Sequence, residues 1–185
     1  MSRTLILGGA RSGKSAYAER LAAASGKEAV YIATGHAGDA EMAERIARHR
    51  ADRPAHWRTV EEPLALADAL RQWRAPERVV LVDCLTLWLS NLLFSDGTQY
   101  PDIGRIDLPP RFHLERAALL QELAGQQGDV LLVSNEVGLG IVPFGAVSRA
   151  FADEAGRLNQ ALAALCDRAV FVAAGLPLQL KGSAC

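Results

Sequence analysis

The sequence predicts an α/β fold, a mostly parallel central sheet with helices on both faces. Short runs of Val, Ile and Leu recur without polar alternation, as in strands buried on both sides. Longer amphipathic stretches separate them, the order expected of strand–helix–strand crossovers. With 185 residues, 50% of them hydrophobic, the chain has enough apolar surface for one domain, residues 1–185, around one core.

Each element follows from its local pattern. Arg3–Leu7 (RTLIL) reads as a buried strand and Gly13–Ala24 as a helix. Ala29–Ala33 (AVYIA) is a second strand. Ala40–Arg53 has helical spacing and stops before Pro54, because proline pushes the residue before it out of the helical region. His56–Val60 reads as a short edge strand. Pro63–Trp73 is predicted helical with Pro63 at the first position, where a missing N–H costs nothing. Arg78–Val82 (RVVLV) is a strand, followed by an apolar helix over Thr86–Phe94. Ser95–Pro110 is rich in turn residues and reads as a surface excursion. Arg111–Gln127 is a helix, Asp129–Val133 (DVLLV) a strand, Val147–Cys166 a long helix and Ala169–Ala173 (AVFVA) a strand. A last short strand is expected near Leu178–Lys181. Ligands of such sheets bind at the carboxyl ends of the strands. Functional residues are therefore expected just after Leu7, Ala33, Val82, Val133 and Ala173.

Composition removes several function classes. Lys and Arg number 20 against 21 Asp and Glu, a net charge of −1. Duplex binding is dominated by phosphate neutralisation, so this balance argues against a nucleic-acid partner. No apolar run approaches the ~18 residues of a transmembrane helix. The N-terminus lacks the apolar core and small-residue pattern of a signal peptide. Cys84, Cys166 and Cys185 are too widely spaced for a metal site or a disulfide framework. Reduced thiols in a cytoplasmic protein fit them. Lysine is scarce: Lys14, Lys27 and Lys181 are the three in the chain.

One of those lysines lies in a motif. Gly8, Gly9, Ala10, Arg11, Ser12, Gly13, Lys14 and Ser15 fit G-x-x-x-x-G-K-[ST], the phosphate-binding P-loop, between a predicted strand and a predicted helix. Its glycines let backbone N–H groups converge on a phosphate, and the helix N-terminus adds positive dipole. Lys14 is expected on the β- and γ-phosphates and Ser15 on Mg²⁺. Asp83, at the end of RVVLV, is a second candidate Mg²⁺ ligand. Asp83 or Thr86 could alternatively cap the next helix. The motif places the fold among three-layer P-loop NTPase-type folds.

The guanine-reading N/T-K-x-D motif of GTPase switches is absent; Asn135-Glu136-Val137-Gly138 has neither Lys nor Asp at the required places. Arg45–Arg58 then gains weight. It holds five arginines and two histidines against one Asp. One reading is a solvated helix face with Glu41–Arg45 and Glu44–Arg48 pairs. Another is phosphate chemistry. Arginine forks match phosphate oxygens, and an imidazole with a usual pKa of about 6.5 is largely neutral and nucleophilic at pH 7. Further along, Ser134-Asn135-Glu136 ends a strand, and Arg149, Asp153 and Arg157 are candidate i,i+4 ion pairs on the long helix.

The strings GGARSGKS, YIATG, EMAERIARHRADRPAHWRTVEEP, LVDCLTLWLSNLL, VSNEVGLGIVP and FADEAGRLNQALA occur in one order. Together they resemble the bifunctional adenosylcobinamide kinase / adenosylcobinamide-phosphate guanylyltransferase family of cobalamin biosynthesis, over roughly residues 3–181. The resemblance implies phosphorylation of adenosylcobinamide by ATP or GTP, then transfer of GMP from GTP to give adenosylcobinamide-GDP and pyrophosphate. It implies a covalent histidine–GMP intermediate on His49 and Mg²⁺ as cofactor, held by Ser15 and Asp83. It implies nucleotide contacts at Gly8–Ser15, at Ala33, Thr34 and Gly35, at Arg50, Ala51, Asp52 and Arg53, and at Glu61 and Asp83. Some members carry Glu where this chain has Asp83. The implied partners are the corrinoid substrate, adenosylcobinamide and its phosphate, and further copies of the chain in a homo-oligomer.

Overall fold

The computed structural model describes residues 1–35, 44, 54, 56–125 and 127–183. Within them lie β1 (Arg3–Gly8), α1 (Lys14–Ala24), β2 (Glu28–Ala33), β3 (Arg58–Glu61), α2 (Leu66–Trp73), β4 (Arg78–Asp83) and α3 (Leu85–Phe94). There follow α4 (Pro110–Ala124), β5 (Asp129–Asn135), α5 (Ala146–Leu165), β6 (Arg168–Ala173) and β7 (Leu176–Lys181). The predicted helix over Ala40–Arg53 lies outside the described residues apart from Glu44.

The strands form one sheet in the order β3-β2-β4-β5-β1-β6-β7. Every neighbouring pair is parallel except β6 with β7. β3 is an edge strand, as its short and less apolar sequence predicts. β7 closes the other edge after a two-residue turn, Ala174-Gly175, with φ of 51° and 78°, the left-handed pair that suits a tight hairpin.

Side chains alternate across each strand and so build two cores. Leu5, Leu7, Val30, Ile32, Val80, Val82, Val130 and Leu132 face the side packed by α2, α3, α4 and α5. Ile6, Tyr31, Leu81, Leu131, Val133, Val170 and Val172 face α1 through Tyr17, Ala18 and Ala22. The fold is the three-layer, mostly parallel α/β arrangement that the apolar runs predict.

Two departures from the sequence reading have local causes. α2 begins at Leu66 rather than Pro63. The Glu62 carboxylate accepts the Leu64 and Ala65 N–H groups at 2.8 and 2.7 Å, which stabilises a separate turn ahead of the helix. The i,i+4 pairs on α5 do not form: Arg157 bonds Glu154, and Arg149 donates to the carbonyls of Pro143 and Phe144. The excursion 95–110 is mostly exposed, yet Tyr100 and Leu108 pack against the core, and its Asp102 carbonyl accepts the N–H of Ala146.

Trp88 sits at the centre of the larger core, fully buried, its indole N–H on the Leu64 carbonyl at 2.8 Å. Trp88→Ala is expected to cost about 3–5 kcal/mol, read as a lower urea midpoint at unchanged m-value. Burial also pushes the Cys166 thiol up from 9.0 to about 12. Below pH 9 both folded and unfolded thiols keep their proton, so its contribution to stability is intact. Above pH 9 the unfolded thiol ionises first, and stability falls by up to about 1.4 kcal/mol per pH unit until the folded thiol titrates. Urea unfolding between pH 8 and 11 is expected to show this slope in the parent and to lose that component in Cys166→Ala.

Candidate active site

The loop after β1 follows the P-loop course. Arg11 has φ 56° and Gly13 φ 92°, so the chain passes through left-handed backbone twice before α1. A Cβ on Gly8 would lie 2.5 Å from both the Val172 carbonyl and Ser12 Oγ. Lys14 is buried and donates to the Gly9 carbonyl at 3.2 Å, so its side chain folds back over the loop. Ser12 Oγ is buried without a hydrogen-bond partner among the described residues. The β6–β7 turn holds the loop from outside: the Gly175 N–H donates to the Ser12 carbonyl at 2.8 Å.

The neighbouring strand ends arrive at the same edge. Gly8 is level with Asn135, and Glu61, Ala33 and Asp83 form one row across β3, β2 and β4. Asp83 is half-buried and accepts the Tyr31 hydroxyl at 2.8 Å. Its peptide bond to Cys84 is cis. Cys84, not Asp83 or Thr86, stands at the N-cap of α3, and no side chain caps that helix. Burial, then the nearby Asp83 carboxylate, pushes the Cys84 thiol up, while Lys14 draws it down. Asp83 and Lys14 thus act on one buried sulfur, which brings the strand end and the P-loop lysine into one electrostatic neighbourhood.

Thr34 is fully buried. Its hydroxyl donates to the Cys84 carbonyl at 2.7 Å and accepts the Cys84 N–H at 2.9 Å. Its own carbonyl accepts Asn91 Nδ2 at 2.7 Å. The Thr34 side chain is therefore engaged by backbone and does not face a ligand. Next along the edge, Asn135 donates to Thr86 Oγ1 at 2.5 Å, and Ser134 donates to Asn159 Oδ1 at 2.7 Å.

Of the predicted site residues, Gly8–Ser15, Ala33–Gly35, Glu61 and Asp83 share the carboxyl edge. His49, Arg50, Ala51, Asp52 and Arg53 lie outside the described residues, as does His36. Arg58 is turned away from this chemistry, its guanidinium 4.8 Å from the Trp73 ring centre. His56 is exposed ahead of β3, and His113 is exposed on α4 against Phe112.

The sequence profile described as cobinamide kinase / cobinamide phosphate guanyltransferase matches residues 4–180. The chain belongs to this family. It is 58% identical over 180 residues to the bifunctional adenosylcobalamin biosynthesis protein CobP of Pseudomonas aeruginosa, covering 97% of this chain and 98% of that one. It is 41% identical over 179 residues to the bifunctional adenosylcobalamin biosynthesis protein CobU of Escherichia coli, covering 96% and 98%. Solved structures resemble it in fold. A prototypical ATPase from the type III secretion system of pathogenic bacteria superposes with a TM-score of 0.54 at 14% identity, over 96% of this chain and 56% of that one. The flagellar accessory protein FlaH of Methanocaldococcus jannaschii gives 0.51 at 12%, over 98% and 79%. No helix among the described residues is long and apolar enough to cross a membrane.

For this cobinamide kinase / guanyltransferase family member, sequence reading missed three residues that shape the site. Tyr31, inside the YIATG string, orients Asp83. Gly175 clamps the P-loop, its signal being the short break between the last two apolar runs. Asn91 holds the Thr34 carbonyl from within a mostly apolar helix, where it and Ser90 are the polar pair. Removing the Thr34 hydroxyl should strand two buried backbone groups, each costing about 1–3 kcal/mol when unsatisfied. Thr34→Val is expected to lose about 2–4 kcal/mol in urea unfolding and to weaken GTP binding in a fluorescence titration. Thr34→Ser, which restores the oxygen, should recover most of both.

Proposed function

We propose that this chain, as one catalytic domain, phosphorylates adenosylcobinamide and then guanylylates the product. The observation that carries the reading is the P-loop beside Asp83 at one strand edge, in a member of a family described by both reactions. In the kinase step the aminopropanol hydroxyl oxygen of adenosylcobinamide attacks the γ-phosphorus of ATP or GTP. The hydroxyl proton is lost and the nucleoside diphosphate leaves. The P-loop N–H groups and Lys14 hold the phosphates, and the unpartnered Ser12 hydroxyl is a further donor for them. Ala33–Gly35, Arg50–Arg53 and Glu61 complete the nucleotide site.

The residues present suit Mg²⁺. A serine hydroxyl and a carboxylate are the hard oxygen donors it prefers, and Tyr31 fixes one carboxylate oxygen of Asp83. Ser15 and Asp83 would hold the ion, which when bound offsets negative charge on the phosphate oxygens.

In the transfer step a neutral His49 nitrogen attacks the α-phosphorus of GTP, the bond to the β-phosphate oxygen breaks, and pyrophosphate departs. The phosphate oxygen of adenosylcobinamide phosphate then attacks the histidine-bound GMP. The N–P bond breaks and the imidazole is returned. The arginines flanking His49 stabilise charge on the phosphate in flight.

Protein incubated with α-labelled GTP and then denatured is expected to retain label that is acid-labile and base-stable. His49→Ala should abolish it; label that persists in that variant overturns the His49 assignment. Lys14→Ala is expected to lower turnover with adenosylcobinamide by about 10² or more. Cobinamide phosphate as the sole product under excess GTP would reduce the reading to a kinase.

A further inference from the structure

α5 reaches well beyond the sheet. Asn159 sits level with the end of β5, taking Ser134 Oγ at 2.7 Å and approaching the Asn135 carbonyl at 3.4 Å. Asn135 is in register with Gly8, where the P-loop begins. Ala155 and Leu158 still pack in the larger core, and the turns of α5 ahead of them run on past the strand ends, on the face that carries α2–α5. At 1.5 Å per residue this overhang, residues 146–153, spans roughly 10 Å. The excursion 95–110 comes up to meet it, with Asp102 bonded to the first turn of α5.

Between the overhang and the excursion is a cavity of about 470 Å³. Its charged lining is of mixed sign, Arg105, Arg149 and Arg157 with Asp107, Asp153 and Glu154, beside His113. Glu154 is buried and bonded by Arg157, and Arg149 is tied to the carbonyls of Pro143 and Phe144. Among the described residues Arg105, Asp107 and Asp153 line the cavity, carry no ion pair and are exposed. Ile106, Leu108, Ala146 and Ala150 supply apolar wall. Immediately beside it, the loop that Arg149 anchors presents Leu139, Ile141, Val142 and Phe144, between 76% and 98% exposed.

This lining does not suit a nucleotide. A triphosphate needs convergent donors and net positive charge, whereas here three cations meet three carboxylates. It suits a neutral ligand that both donates and accepts. Each primary carboxamide offers two N–H donors and a carbonyl acceptor, so Arg and Asp side chains can serve the two ends of one amide. A corrinoid has this character: a rim of carboxamides around a ring whose faces are rich in methyl groups. The mixed-charge cavity matches the rim and the apolar loop matches a face. At this volume the cavity takes one edge of the ring, not the whole.

We propose that the cavity between residues 104–108 and the overhanging turns of α5 binds the carboxamide edge of the corrinoid acceptor, on the sheet face opposite α1. The inference rests on the function proposed above. It places the acceptor and the P-loop on either side of one strand edge, so that the aminopropanol arm reaches over that edge to the nucleotide phosphates.

The test is equilibrium dialysis of cobinamide, followed by its visible absorption, against the full chain. Arg105→Ala and Asp153→Ala each remove one unpaired charge, and each is expected to raise the Kd about tenfold. Ala150→Trp fills the cavity without changing charge, and its expected effect is at least as large. Arg20→Ala, on α1 across the sheet, should leave the Kd within about twofold. Parent-like Kd values for all three cavity variants would overturn the inference while leaving the proposed function standing. A parent chain that neither binds nor phosphorylates cobinamide would overturn both.

Discussion

The P-loop can leave the sheet where it does because residue 8 has no side chain. Gly8 is still paired as strand, with Asn135 on one side and Val172 on the other. A single methyl group there would meet the Val172 carbonyl and Ser12 Oγ at 2.5 Å. The Ser12 hydroxyl could rotate away, but the Val172 carbonyl is paired backbone and cannot give way cheaply. The close fit brings the loop down onto the strand ends rather than letting it arch away. Gly13, with a Cβ position 3.1 Å from Gly175 Cα, repeats the constraint at the helix entry. The folded-back Lys14 and the Ser12 hydroxyl, unpartnered among the described residues, belong to the loop held in this way. The last strand, β7, is largely exposed, and it adds little core. Its turn, however, is the clamp on the Ser12 carbonyl.

The rest of the edge is a polar floor built by strand tips on one another. Thr34 ties β2 to the Cys84 backbone, Asn91 ties α3 back to Thr34, Asn135 reaches Thr86, and Asn159 reaches β5. Each link satisfies buried backbone or side-chain groups that would otherwise be costly. In the low dielectric of the edge they also fix geometry, since a hydrogen bond there tolerates little displacement. Asp83 stands on this floor with one oxygen held by Tyr31. A Glu at that position would carry its carboxylate one methylene further and out of the Tyr31 bond.

Which parts were legible in the sequence depends on the range of the forces involved. The five central strands were, because each is an apolar run whose burial is decided within a few residues. The P-loop was, because its spacing and its strand–helix context are local. The start of α2 was not: the pattern P-L-A-L-A-D reads as helix from Pro63, and the Glu62 side chain overrides it by capping its own turn. The strand order could not be read, since placing β1 between β5 and β6 depends on contacts more than a hundred residues apart. Thr34 was legible as a site position and not as a brace, because its partner, the Cys84 backbone, arrives from another strand. The ion pairs expected within α5 failed for a different, local reason: nearer partners won. Arg149 found carbonyls in the preceding loop, and Arg157 found the better-buried Glu154.

The near-zero net charge of the chain conceals a division between the two sides of the strand edge. On the α1 side the P-loop offers N–H groups, a helix N-terminus and Lys14, all directed at anions. On the α5 side the overhang offers cations and carboxylates in equal number, which cancel at a distance and act singly at contact. Screening makes this arrangement selective. Beyond about 8–10 Å in physiological salt the mixed wall exerts little field, so it does not compete for nucleotide. The P-loop, through concentrated dipoles and one buried ammonium, does. On the placement proposed above, an anionic nucleotide and a neutral amide rim would be sorted to two faces of one sheet without a net-charged surface, their reacting groups meeting at the strand edge between them.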